Sequence, residues 1–344
     1  MTMNKLTELI KRHQVVAFFV LTFAISWGLW IPILPLIYSG KHPLLTPLLI
    51  FGAYMPAVVG IVITRIIDPQ PRHGNRKPSW IAFTVAWILA TLVFILNIVL
   101  TAKVNLSPQM IIAISTVIAL APAFVVSSAF SRVKGIRNYL ASLIKPPGGT
   151  RWYLIAILLL PVVRILQVAV AHTIGQEIAW RPIQATGELQ IAGMVAFVFV
   201  YQFTYSNCLG EEIGWRGFAL PRLQTRYSPL VASIIIGFFW ALWHVPYWRA
   251  EIGSFTSMYW LFVSGSTFAL SFILTWLYNR TGGSILAVGL MHVSSNLSVK
   301  LFVRFTWIWL LLMMLVALIV IVVDKMWQKL PSDNDGGLDS VPRK

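Results

Sequence analysis

About ten runs of 17 to 25 apolar residues, separated by short polar turns, decide what this chain can fold into. Each run is long enough, or nearly so, to cross the ~30 Å hydrocarbon core of a bilayer as a helix. Inside that core every backbone N–H and C=O has to be satisfied within its own segment, and a helix does this. The runs are Val15 to Tyr38, Pro43 to Ile63, Trp80 to Thr101, Met110 to Phe130, Tyr153 to Ala171, Leu189 to Leu209 and onward, Leu230 to Tyr247, Ser257 to Tyr278, Ser284 to Val299, and Phe305 to Val323. The ninth is short and the sixth has no obvious end. Only 11% of the residues are charged and the mean hydropathy is +0.77, whereas soluble domains are about 25% charged. The expected fold class is all-α, a polytopic transmembrane helical bundle of about 8–10 spans.

A net charge of +16 raises the question of nucleic acid. The basic residues sit instead in short loops between apolar runs, and no nucleic-acid motif is present, so no nucleic-acid partner is expected. Nineteen of the 27 Lys and Arg residues fall in one alternating set of loops, among them Lys11, Arg65, Arg132, Lys145, Arg222, Arg280 and Lys325. Six fall in the other set: Lys41, Lys103, Arg181, Arg249, Lys300 and Arg304. This imbalance predicts a multi-pass plasma-membrane protein with both termini cytoplasmic. The basic N-terminus leads into a first run that is longer than a signal-peptide core and lacks an A-x-A site, so it is expected to be a retained span. The lone Cys208 forms no intramolecular disulfide and is expected to be a small core residue.

The organisation predicted is a scaffold of transmembrane helices over 1–188, a catalytic membrane core over 189–300, a C-terminal transmembrane helix over 301–330 and a polar, disordered tail over 331–344. The chemistry concentrates in the second half. Tyr205 to Phe218, YSNCLGEEIGWRGF, places Glu211, Glu212 and Arg216 in an apolar run, where a charge costs at least ~2.5 kcal/mol and needs a partner or a wet cavity. Trp240-x-x-x-His244 and His292-x-x-x-Asn296 follow. Residues four apart share a helix face, so Glu212 can pair with Arg216, and His292 and Asn296 point the same way. Glu211 and Glu212 lie about 100° apart and cannot do the same job. Glu211 and His244 are nearly equidistant from the turn at Tyr227 to Pro229, so an antiparallel hairpin brings them to one height. His292 lies closer to its own turn, which implies a helix break or an extension of the sixth and seventh helices. Gly210, Gly214 and Gly217 form a small-residue face for close approach of another helix.

A carboxylate and an imidazole at one height can hold and deprotonate a water, directly or on a metal, and a second imidazole with a carboxamide can stabilise an oxyanion. Bland alternatives stand beside each pattern: a structural ion pair for the glutamates, a satisfied interfacial histidine for His244 and a packing hydrogen bond for His292 with Asn296. Arg164 reads as structural, snorkelling or bonding carbonyls, and Trp240, Trp243, Tyr247 and Trp248 read as an interfacial belt before they read as a pocket.

EEIGWRG, FFWALWH and HVSSN, in that order, resemble the motif set of the CAAX prenyl protease and bacteriocin-processing family, also called the Abi family of intramembrane proteases. The resemblance covers roughly Val195 to Val299, with Trp240 standing where Phe is frequent. It implies a membrane-embedded endopeptidase acting on a peptide or protein substrate in or beside the lipid bilayer. In that reading Glu211 activates water with His244, His292 and Asn296 stabilise the oxyanion, and Glu212, Arg216 and Trp240 support them. A divalent metal, zinc, is left open, with Glu211, His244 and His292 as its ligands; no organic cofactor is implied. The family carries a metalloprotease label, while its eukaryotic CAAX-processing relatives look able to use glutamate and histidine without a tightly bound metal. A transporter with an intramembrane ion pathway and a catalytically idle immunity or scaffold protein of the same fold are the competing readings.

Overall fold

The computed structural model describes residues 3–39, 42–68, 76–101, 106–146, 148–176, 188–252, 258–301 and 306–331. All of the regular structure among them is helical, as an all-α bundle requires. Seven helices are long and apolar enough to cross a membrane: Gln14–Tyr38, Pro43–Ile67, Lys77–Leu100, Pro108–Ser128, Thr150–Thr173, Pro229–Ala250 and Met258–Arg280. Three shorter apolar helices, Ala192–Tyr205, Ile285–Val299 and Trp307–Val323, complete the correspondence with the ten runs. The tail beyond 331 and the loop residues Lys41, Arg72, Lys103, Arg181 and Arg304 lie outside the described residues.

In chain order the helices are α1 (Met3–Arg12), α2 (Gln14–Tyr38), α3 (Thr46–Ile67), α4 (Lys77–Thr101), α5 (Pro108–Ile118), α6 (Leu120–Ser128), α7 (Lys134–Ala141), α8 (Thr150–Thr173) and α9 (Glu188–Gln202). A π-helix, Phe203–Ala219, continues α9 without interruption. After it come α10 (Leu220–Gln224), α11 (Pro229–Trp243), α12 (Val245–Ile252), α13 (Met258–Arg280), α14 (Ile285–Leu301) and α15 (Trp307–Val323).

The π-helix is the centre of the bundle, packed between α3 and α14. On one flank α2 joins α3, and on the other α8 packs on α14 and α15, with α13 between α11 and α15. The peripheral α4 keeps Ile81, Val85, Leu89, Leu92, Leu96 and Val99 exposed, an apolar face suited to acyl chains. Close approach to the centre depends on missing side chains. A Cβ on Gly214 would stand 2.4 Å from the Pro56 backbone of α3, and one on Gly289 would stand 2.2 Å from Cys208 Sγ. Cys208 is thus the small buried residue expected, seated where α14 crosses the π-helix. Pro56 has no N–H to give the carbonyl of Gly52, and the Ser26 hydroxyl of α2 donates to that oxygen at 2.7 Å.

The basic loops gather at one end of the bundle. Arg222 Nε donates to Gln14 Oε1 at 2.9 Å, Lys145 Nζ to Gly282 O, and Arg280 grips Asp324 through two bonds of 2.7 and 2.5 Å. The alternation read from sequence therefore has a physical counterpart in these contacts between loops. Arg164, by contrast, does not snorkel. It is fully buried, donates to Gln167 Oε1 at 2.8 Å and lies 3.5 Å from the centre of the Trp309 ring.

Candidate active site

The π-helix sets the register of the two carboxylates. Its bonds run five residues back, as from Leu220 N–H to Trp215 O, and two tyrosine hydroxyls from neighbouring helices donate to its carbonyls. Tyr54 donates to Thr204 O, and Tyr139, on α7, donates to Ile213 O at 2.7 Å, immediately after the glutamates. Burial pushes the Tyr139 hydroxyl well above its ordinary titration range, so it remains a donor.

Glu211 and Glu212 face different partners. Glu211 Oε2 accepts from Trp240 Nε1 at 2.8 Å and lies 3.8 Å from His244 Nε2. Glu212 Oε1 accepts from Arg216 Nη1 at 3.0 Å and sits 2.7 Å from His292 Nδ1. Arg216 also lies over the Trp240 ring at 4.3 Å, so one tryptophan touches the cation with its face and Glu211 with its N–H. Glu212 and Arg216 are fully buried, and Glu211 and His292 nearly so.

His244 occupies a joint. Ser228 caps α11, accepting from Val231 N–H at 3.4 Å, and Pro246 ends it, so α11 stops at Trp243 and α12 begins at Val245. The first turn of α14 is buried against the segment that follows α7. There Ser284 Oγ donates to Lys145 O and Ile285 N–H to Ser142 O at 2.9 Å.

Both imidazoles are oriented through Nδ1. The Trp240 carbonyl, 2.8 Å from His244 Nδ1, can only accept, so that nitrogen carries the proton. The Glu212 carboxylate does the same for His292. Each ring therefore has Nε2 left for other chemistry, and both residues line a cavity of about 450 Å³ with Glu211, Trp240 and Asn296. Asn296, one turn beyond His292 on α14, is half-buried there. Trp240, expected as a supporting residue, and Trp243, Tyr247 and Trp248, read as a belt before a pocket, all line the cavity, and His244 stacks on Trp248 at 4.8 Å. Trp30, Leu49 and Ala53 show that α2 and α3 also contribute wall. Gln202 and Asn207, which no sequence pattern marked, line it too.

Among the described residues no three His, Cys, Asp or Glu side chains are arranged to hold a metal ion. Glu211, His244 and His292 share the cavity without forming such a cage. As arranged, Glu211 and His244 can hold a water between a carboxylate and an imidazole, and Asn296 adds a carboxamide to the wall of the same cavity.

Residues 191–298 match the family described as type II CAAX prenyl endopeptidase, Rce1-like. CAAX prenyl protease 2 of Methanococcus maripaludis is 31% identical over 153 residues, which cover 43% of this chain and 55% of that protein. The chain thus spans about half the length of the curated relative it matches. The matched residues include all three motifs and the whole π-helix.

Proposed function

On the premise that residues 191–298 belong to the Rce1-like CAAX prenyl endopeptidase family, we propose that this chain is a membrane-embedded endopeptidase that hydrolyses peptide bonds through Glu211. One observation carries the reading: Glu211, fixed by Trp240 Nε1, lies 3.8 Å from His244 Nε2 on the wall of a cavity. A water between them loses a proton to the carboxylate and attacks the scissile carbonyl carbon. The carbonyl oxygen gains the negative charge, which the Asn296 carboxamide can stabilise by donating N–H. His292 supports it from Nε2 when its ring is the imidazolium, with Glu212 as counter-ion; a neutral ring with Nδ1–H leaves Nε2 an acceptor. Glu211 then passes its proton to the departing amine as the C–N bond breaks, so water is consumed and both proton transfers balance.

The lining residues also give the site a direction. His244, the start of α13 at Tyr259, the start of α15 at Trp309, and Val299 of α14 lie at the helix ends opposite the basic loops. If those loops are cytoplasmic, as their charge implies, the cavity faces the outer half of the bilayer. The substrate is a peptide segment at or in the membrane, and prenylation of it is not required by any of these contacts.

The test compares peptide termini in membrane and secreted fractions from cells expressing the wild type or Glu211→Ala at matched levels. New termini confined to the wild type are expected, and identical termini would transfer the weight to a binding or transport role.

A further inference from the structure

Gln202 and Asn207 form a buried carboxamide pair, 4% and 5% exposed, joined by a 3.0 Å bond from Asn207 Nδ2 to Gln202 Oε1. A primary carboxamide offers two N–H donors and a carbonyl with two lone pairs. The one bond leaves both N–H groups of Gln202 and the carbonyl of Asn207 unused, and no other hydrogen bond among the described residues engages either side chain. Both residues line the same cavity as Glu211. Buried amides that keep spare donors and acceptors beside a cavity are costly unless something pairs with them.

The π-helix explains their placement. A helix bonded five residues back turns once in about four to five residues. Steps of five and four therefore stack Gln202, Asn207 and Glu211 in one column along the wall, where an α-helix would fan them apart. The unused groups are the two Gln202 N–H groups, the second Asn207 N–H and the Asn207 carbonyl, donors and an acceptor of the two kinds that a peptide unit carries. The described cavity wall contains no Lys or Arg, so a free carboxylate would have no strong cation there. A main-chain amide within a peptide fits; a C-terminal carboxylate does not.

We propose that Gln202 and Asn207 form a main-chain subsite that hydrogen-bonds one backbone amide of an extended substrate and so sets which bond reaches Glu211. The proposal rests on the endopeptidase reading, and it makes selection of the cleaved bond depend on backbone geometry more than on side-chain identity.

The probe is an N-acetylated, C-amidated octapeptide of alternating Ala and Leu, with a set of analogues each carrying one N-methylated amide. Binding is followed by tryptophan fluorescence on the full chain purified in detergent, with Glu211→Gln so that nothing is cleaved. One N-methyl position is expected to weaken binding by about tenfold, the worth of one hydrogen bond, while the others change it by less than about threefold. That positional penalty should vanish when Gln202→Leu and Asn207→Leu are added. Should those variants misfold, Asn207→Ala alone removes the carbonyl that accepts the substrate N–H and should erase the same penalty. Failure of the parent to bind the octapeptide, a flat N-methyl series, or a penalty that survives in the substituted proteins would overturn the proposal. Failure of the endopeptidase reading looks different: positional binding would persist while the wild type generates no new termini.

Discussion

Glu211 and Glu212 are adjacent in sequence, yet removing each should do different harm. Glu212→Gln leaves fully buried Arg216 without its carboxylate, and breaking a buried pair costs about 3–5 kcal/mol. Heat denaturation in detergent should show that loss, together with impaired cleavage. Glu211→Gln keeps an oxygen for Trp240 Nε1, so stability should hold within about 1 kcal/mol while cleavage falls by about 10³-fold or more. A larger stability loss for Glu211→Gln than for Glu212→Gln would reverse the assignment. Asn296→Ala should lower kcat by about 10² to 10³-fold with little change in KM, measured on a cleaved peptide. The charged members of this set were legible because a charge in an apolar run is conspicuous. Trp240 was harder to read. Its helix, α11, is apolar on nearly every side, so periodicity does not distinguish an indole turned toward lipid from one bonded to a carboxylate, and only the FFWALWH resemblance gave it a supporting place.

At the scale of elements, the ten runs translated into helices because hydrophobic length is a strong signal. The π-helix did not, because pattern reading assumes the α-helical period. Spacing four apart still paired Glu212 with Arg216, but the five-residue step from Gln202 to Asn207 has no meaning on an α-helix. The crossing of α14 over this helix is equally specific. Gly289→Ala drives a Cβ into Cys208 Sγ and should destabilise the protein by about 1–3 kcal/mol. Adding Cys208→Ala removes the sulfur atom but keeps the Cys208 Cβ, 2.8 Å from the added carbon, and should restore part of the loss in the same denaturation assay. A double variant no more stable than Gly289→Ala alone would mean that the two helices do not meet there. Trp243, Tyr247 and Trp248 were read as a belt before a pocket because an aromatic cluster at a helix end looks the same in sequence either way; in the structure all three line the cavity.

For the whole molecule, the contacts that join Arg222 to Gln14, Lys145 to Gly282 and Arg280 to Asp324 put the basic loops at one end and the cavity toward the other. Single cysteines introduced into a Cys208→Ser protein test how this sits in the membrane. With a membrane-impermeant maleimide on intact cells, Trp307→Cys should label and Lys325→Cys should label only after permeabilisation; the reverse pattern would place the cavity on the cytoplasmic side. The described cavity lacks a three-ligand cage, so dialysis against a chelator should leave roughly half or more of the activity. Loss restored by zinc alone would instead show that Glu211, His244 and His292 close around a metal. The most direct measurement uses the purified full chain in ¹⁸O-labelled water with a peptide that spans a bond found cut in cells. Wild type should place one labelled oxygen in the new C-terminal carboxylate, and Glu211→Gln, equally folded, should produce no labelled terminus at a thousandth of the wild-type rate or faster. Labelled product from Glu211→Gln at more than a tenth of the wild-type rate would contradict the assignment of Glu211 as the group that activates water.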